Sequence, residues 1–110
     1  MIFHLAAGDQ WQSPDSYRPP SLEDEGFIHC STASQLIEVA NSLYPGRTDL
    51  LLVTIEPDSL SAPVVFEDCY ETGQRFPHIY GPIDPEAVVS VEPFPPDAAG
   101  RFAWDTSLEA

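Results

Sequence analysis

The sequence contains no lysine. Its 110 residues carry four arginines against eighteen aspartates and glutamates, which gives a formal net charge of −14. Proteins that bind nucleic acid neutralise phosphates with stripes of basic side chains, and four scattered arginines cannot supply such a stripe. Anionic membrane surfaces attract basic segments for the same reason. We therefore predict no nucleic-acid partner and no membrane partner. A small-molecule ligand is compatible with this charge.

Cysteines and long apolar runs are also scarce. The two cysteines, Cys30 and Cys69, show no disulfide-framework spacing, so we interpret them as reduced thiols and expect a cytoplasmic protein. A disulfide between them is the minor alternative. The first residues, MIFHLAAGDQW, lack the basic start of a signal peptide, and their apolar run is too short for one. No stretch approaches the ~20 apolar residues of a membrane span.

The chain has the length of one domain, and its twelve prolines favour short elements. The pattern predicts strands at MIFHLAA, Phe27–Cys30, the apolar run Leu50–Ile55, Val64–Phe66, Ile79–Tyr80 and Ala87–Val91. It predicts one main helix after the capping box of Thr32 and Gln35. GDQWQSPDS and Ser21–Gly26 are expected to form short helical turns, and residues 70–78 a loop. The fold class is therefore α+β, with a mixed, mainly antiparallel sheet.

The expected domain spans residues 1–94. Residues 95–110 form a proline-rich, acidic tail. Two alternatives stay open for it, because chain ends are disordered unless something holds them. The tail is mobile, or it docks through Phe102 and Trp104.

Three histidines, His4, His29 and His78, fall at or beside predicted strands, where binding sites are commonly built. Any one of them is equally well explained as a half-buried polar residue with a satisfied hydrogen bond. Strand alternation places Phe27, His29 and Ser31 on one face, and Cys30 on the other. Ser31 and Thr32 then begin a helix whose free N–H groups favour an anionic or carbonyl oxygen.

Three chemistries could use this set. Cys30 or Ser31 paired with a histidine would be a nucleophile, but alternation separates Cys30 from His29. Three imidazoles suit zinc, although the spacing contains no local metal motif. The third is a cleft that hydrogen-bonds a polar ligand, with tyrosines as a stacking wall.

The runs IFHLA, YRPPSL, EGFIHCST, TDLLLVTIE, APVVFE, RFPHIYGPI and AVVSVEPF together resemble the bacterial domain-of-unknown-function family 952. The resemblance extends over residues 1 to about 94. That family is similar to the ADP-ribosyltransferase-like fold, in which a split pair of small sheets encloses a cleft for NAD. The resemblance implies NAD, as a substrate, for an enzyme of the glycosyl (ADP-ribosyl) transferase or hydrolase type.

The resemblance also implies roles for particular residues. His4 matches the first-strand residue that holds a ribose hydroxyl, and His29 matches the second-strand residue on the nicotinamide side. The third position, which in many members is a late glutamate that stabilises the ribose cation, has two candidates. They are Glu67 and the segment of His78. Further ligand-binding candidates lie next to these motifs: they are Tyr17, Arg18, Ser31, Thr32, Arg75 and Tyr80. The alternatives are a non-catalytic module for a small metabolite and a His-ligated metal protein.

Overall fold

The computed structural model describes residues 1–13, 17–68 and 71–103. Within these ranges the chain forms six strands and two α-helices. In chain order they are β1 (Ile2–Ala7), α1 (Pro20–Asp24), β2 (Ile28–His29), α2 (Ala33–Leu43), β3 (Leu50–Ile55), β4 (Val64–Glu67), β5 (Phe76–Ile79) and β6 (Val88–Pro93). Single 3₁₀ turns at Pro57–Ser59 and Pro85–Ala87 connect the later strands. The strands form two separate antiparallel sheets.

The first sheet has the order β1-β3-β6, so β3 is central, which suits a strand that is apolar on both faces. Both faces of this sheet are covered. Ile2 and Ala6 of β1 belong to one core cluster, whereas Phe3 and Leu5 pack in or against the other. This alternation is the period of two expected for a strand. Because both faces of the sheet are buried, β3 has almost no polar side chains.

The second sheet has the order β2-β5-β4. The chain leaving β2 is joined to the first sheet by a β-bridge. The N–H of Phe3 donates to the carbonyl of Ser31 at 2.8 Å, and the N–H of Ser31 donates back at 2.7 Å. In the same region His29 pairs with His78 across β2 and β5. The bridge therefore places the histidine of β1 beside the histidines of the second sheet.

Helix α2 begins as its sequence predicts. Thr32 is the N-cap, and its N–H donates to the side-chain oxygen of Gln35 at 3.0 Å. The amide nitrogen of the same glutamine donates to the carbonyl of Arg75 at 2.8 Å, which ties the helix start to the entry of β5. Leu36 and Ala40 are fully buried against the first sheet.

The tail packs on α2 as far as it is described. The ring of Phe102 is buried and stacks on Phe94, with the centroids 5.2 Å apart. Asn41 of α2 makes two hydrogen bonds with the backbone of Phe102, of 2.7 and 3.0 Å. Residues 95–103 therefore dock on the body of the protein. Trp104 and Cys69, which the sequence singled out, lie outside the described residues.

Two local expectations were wrong. The strand pairings between described residues are all antiparallel, so the sheet is not mixed. The predicted loop 70–78 ends earlier than expected, because β5 begins at Phe76 and contains Pro77, whose missing N–H did not prevent pairing on both sides. The segment that begins at Gly8 makes a hydrogen-bonded turn, with the N–H of Gln10 donating to the carbonyl of Ala7, and its last part, residues 14–16, lies outside the described residues. None of the helices that the structure describes has the length and hydropathy needed to cross a bilayer.

Candidate functional site

A cavity of about 960 Å³ lies where β1, β2 and β5 meet helix α2, which lines it along its length. This volume is within the range of small-molecule sites. Ten residues were predicted to form a site, and five of them line this cavity. They are His4, Tyr17, His29, Ser31 and His78. Segments that are far apart in sequence thus bring all three imidazoles to one concave surface.

His4 is buried and both of its ring nitrogens have partners inside the protein. Nδ1 lies 2.6 Å from the carbonyl oxygen of His29, and Nε2 lies 2.6 Å from the hydroxyl of Tyr17. A carbonyl can only accept, so Nδ1 carries the hydrogen and the phenol of Tyr17 donates to Nε2. The resemblance predicts that His4 binds a ribose hydroxyl. The structure instead places it as a bridge between β2 and the Tyr17 ring.

Burial makes the charged form of this imidazole unfavourable. It lowers the pKa of His4 from 6.5 to about 4, and the hydrogen bond to the His29 carbonyl offsets this only partly. The same loss of solvent raises the pKa of the Tyr17 phenol and of the Cys30 thiol. At neutral pH all three groups are therefore uncharged, and Cys30 is not an activated nucleophile.

We expect a specific acid sensitivity from His4. Below pH 6.5 the unfolded chain binds a proton at this position and the folded chain does not, so stability is full above pH 6.5 and falls as the pH drops toward 4. The loss amounts to about 3 kcal/mol over this interval. Urea unfolding of the wild type and of His4→Asn, from pH 7 to pH 4, measures it. Asn does not titrate, so the free energy of unfolding of His4→Asn should fall by about 3 kcal/mol less between pH 7 and pH 4 than that of the wild type. Parallel curves would contradict the assignment.

His29 is the accessible imidazole of the site. Its side chain is 41% exposed, and Nε2 lies 3.1 Å from a carboxylate oxygen of Glu25 at the end of α1. The ring meets His78 edge-on at a centroid distance of 5.2 Å and Phe27 at 4.9 Å. Phe27 and His29 therefore lie on one face, as the alternation predicts. A ligand in the cavity can reach this imidazole without displacing the core.

His78 is 1% exposed and is held from two directions. Phe27 stacks on its ring, with centroids 4.1 Å apart and planes inclined by 15°. Nδ1 lies 2.9 Å from Oε1 of Glu67 on the neighbouring strand β4. The hydroxyl of Tyr80 donates to the same carboxylate oxygen. Glu67 and Tyr80 are thus connected to the cavity through His78, and do not form its wall themselves.

The remaining predicted residues lie beside the cavity. Thr32 caps α2, and its hydroxyl lies 3.1 Å from that of Ser34. Arg18 donates to the carbonyl of Tyr17 at 3.0 Å, and Arg75 contributes its backbone carbonyl to Gln35. Neither Arg18 nor Arg75 is among the described residues that line the cavity.

Sequence reasoning missed the acidic part of the wall. Asp9, Glu38 and Asp49 line the cavity together with Arg47, whose guanidinium binds Asp49 through two hydrogen bonds of 2.7 and 2.8 Å. The one signal in the sequence that could have indicated these residues is their position, because Asp9 and Asp49 lie next to the paired ends of β1 and β3. In an acidic chain, two more aspartates at strand ends do not stand out.

The described residues do not support the alternative that the histidines hold a metal ion. Among residues 1–13, 17–68 and 71–103 no three His, Cys, Asp or Glu side chains are grouped so that they could hold an ion. Both ring nitrogens of His4, Nε2 of His29 and Nδ1 of His78 instead contact carbonyl, phenol or carboxylate oxygens of the protein.

A family model described as "Protein of unknown function (DUF952)" matches residues 2–91. The chain belongs to the DUF952 family. The matched segment contains all ten residues predicted for the site, and it ends before the docked part of the tail. No curated protein matches the chain.

The DUF952 chain is similar in structure to protein CC0527 from Caulobacter crescentus. The crystal structure of that protein is 25% identical, with a TM-score of 0.83 over 99% of this chain and 98% of that chain. A crystal structure of its double mutant is 24% identical, with the same TM-score and coverage. A solution NMR structure is 25% identical, with a TM-score of 0.73 over 91% and 89% of the two chains. These similarities establish the α+β fold with two antiparallel sheets.

Proposed function

We propose that this protein binds NAD, or a nucleotide related to it, in the cavity between its two sheets, as a domain of the ADP-ribosyltransferase-like type. One observation carries the proposal: imidazoles from β1, β2 and β5 meet at a cavity of about 960 Å³. A site that only filled the core would leave no such space beside them. The split arrangement of two small sheets also supports the proposal.

The charge of the wall selects among nucleotides. Among the described residues of the wall, Asp9, Glu38 and Asp49 outnumber the one arginine, Arg47, which is already paired. Negative side chains attract a cationic ring and oppose a chain of phosphates. The pyridinium ring of oxidised NAD suits this wall better than the neutral ring of its reduced form. ATP, which has more phosphate charge, should bind least well.

A thermal-shift series tests the proposal. At a concentration ten times Kd, a ligand stabilises the folded state by about 1.4 kcal/mol, which raises Tm by about 5 °C. We expect NAD to give such a shift, the reduced form a smaller one and ATP none, with ADP-ribose and nicotinamide measured alongside. His29→Ala should reduce the NAD shift. Val89→Ala, on the exposed face of β6, is the matched control and should keep it. The absence of a shift with all of these ligands would refute the proposal.

A second candidate is a module that binds a polar metabolite without turnover. The observation that favours it is the double hydrogen bonding of His4, which leaves neither ring nitrogen for a ribose hydroxyl. This candidate predicts stabilisation by the ligand while mass spectrometry detects no product after prolonged incubation.

A further inference from the structure

The hydroxyl of Ser31 is a polar group of the cavity wall that has no partner in the described part of the chain. Ser31 is 5% exposed and lines the cavity, as do the buried histidines His4 and His78. Each of these imidazoles has a hydrogen-bond partner, whereas no described residue pairs with the hydroxyl of Ser31. Nearly all buried polar side chains make a hydrogen bond, so an isolated hydroxyl indicates a role other than packing.

The local structure does not use this hydroxyl. Ser31 is held by its backbone, because its N–H donates to the carbonyl of Phe3 at 2.7 Å and its carbonyl accepts from the N–H of Phe3 at 2.8 Å. A serine just before a helix often serves as the cap. Here, however, Thr32 is the N-cap of α2, and its N–H donates to the side chain of Gln35. Neither the bridge between the sheets nor the start of the helix needs the side chain of Ser31.

The polar groups around Ser31 are already occupied. The side-chain amide of Gln35, one turn along the cavity wall, accepts from Thr32 and donates to the carbonyl of Arg75. Both ring nitrogens of His4, on the strand that the bridge joins to Ser31, have partners. No fully enclosed side-chain oxygen or nitrogen of the described residues lacks a partner. The hydroxyl of Ser31 is therefore not sealed in the core, and its open side faces the cavity that it lines.

The charge of the wall indicates which ligand group suits this hydroxyl. Asp9, Glu38 and Asp49 repel an anionic group, and Arg47, the one arginine among the described residues of the wall, is bound to Asp49. A serine hydroxyl can both donate and accept. It therefore suits an uncharged group such as a hydroxyl or a carboxamide, and a carboxylate or phosphate would find no free basic partner there.

We propose that Ser31 is a specificity-determining residue of the site, whose hydroxyl binds an uncharged hydroxyl or carboxamide of the ligand. The inference rests on the proposed function for its ligand. NAD offers both kinds of group, the carboxamide on nicotinamide and the hydroxyls on ribose. A buried site that hydrogen-bonds such a group discriminates strongly against ligands that lack it.

The first measurement needs no ligand. Thermal unfolding is compared for the wild type, Ser31→Ala and Ser61→Ala. Ser61 is the matched control, because it lies outside the cavity wall and its hydroxyl donates to Asp84 at 2.5 Å. We expect Ser61→Ala to lower Tm by about 4 °C, since a hydrogen bond is lost, and Ser31→Ala to change it by less than about 2 °C. A larger fall for Ser31→Ala would show that the hydroxyl is structural, and would overturn the inference.

The second measurement uses NAD, ADP-ribose and nicotinamide as probes. Titration calorimetry should show that Ser31→Ala raises the Kd for NAD about 10-fold, the value of one hydrogen bond, whereas Ser61→Ala leaves it unchanged. The same loss with ADP-ribose identifies a ribose hydroxyl as the bound group, and the same loss with nicotinamide identifies the carboxamide. An unchanged Kd for NAD in Ser31→Ala overturns the inference and leaves the proposed function standing. Absence of binding of all three probes by the wild type refutes the proposed function, and this inference with it.

Discussion

Replacing His4 with alanine is expected to lower the free energy of unfolding by about 3 kcal/mol. The substitution removes a buried ring that is 6% exposed, and it leaves two polar groups without their partner. These groups are the carbonyl of His29 and the hydroxyl of Tyr17, each 2.6 Å from a ring nitrogen. Urea unfolding at pH 7 measures the loss. His29→Ala is the matched control, because its side chain is 41% exposed and should cost less than about 1 kcal/mol.

A double-mutant cycle isolates the bond between His4 and Tyr17. Tyr17→Phe removes the hydroxyl that donates to Nε2 and should cost about 1–3 kcal/mol by itself, since the buried nitrogen then lacks a donor. In a chain that already carries His4→Ala, the same change should cost much less, because no acceptor remains. Equal losses in both backgrounds would show that the hydrogen bond does not couple the two side chains.

The second large effect is expected in the tail. Phe102→Ala should lower the free energy of unfolding by about 3 kcal/mol, because it empties a site where the ring is 3% exposed and stacks on Phe94. Chemical unfolding checks this value. Phe66→Ala is the matched control: the same residue type on the edge strand β4, where the ring is 50% exposed, should cost less than half as much. Similar losses for the two variants would mean that the tail does not contribute to the core.

The strongest local patterns predicted the elements that they describe. The capping box of Thr32 and Gln35 predicted the start of α2, and the run MIFHLAA predicted strand β1. Each of these signals depends on neighbours a few residues apart. Pro77 shows the limit of such reasoning. A proline argues against a strand between two others, yet β5 pairs with both β2 and β4, since one missing donor costs less than the pairing around it gains.

The candidate site was predicted only in part, because sequence patterns report on neighbouring residues and not on contacts between distant segments. Strand alternation indicated that His29 faces the same side as Phe27, which the ring contact confirms. No local pattern could show that both nitrogens of His4 are already bonded, because one partner is 13 positions away and the other 25. The acidic wall was missed because it gathers residues from β1, α2 and β3, and the sequence contains acids almost everywhere.

The sequence by itself determined the charge of this protein, its α+β class, the start of its main helix and the segments that bear histidine. These properties follow from composition and from short-range periodicity. Only the tertiary structure decided that the imidazoles meet at one cavity, that His4 is neutral and fully bonded, and that Glu67 forms a hydrogen bond with His78. Such properties depend on burial and on distances between remote segments, which are set by how the two sheets pack together.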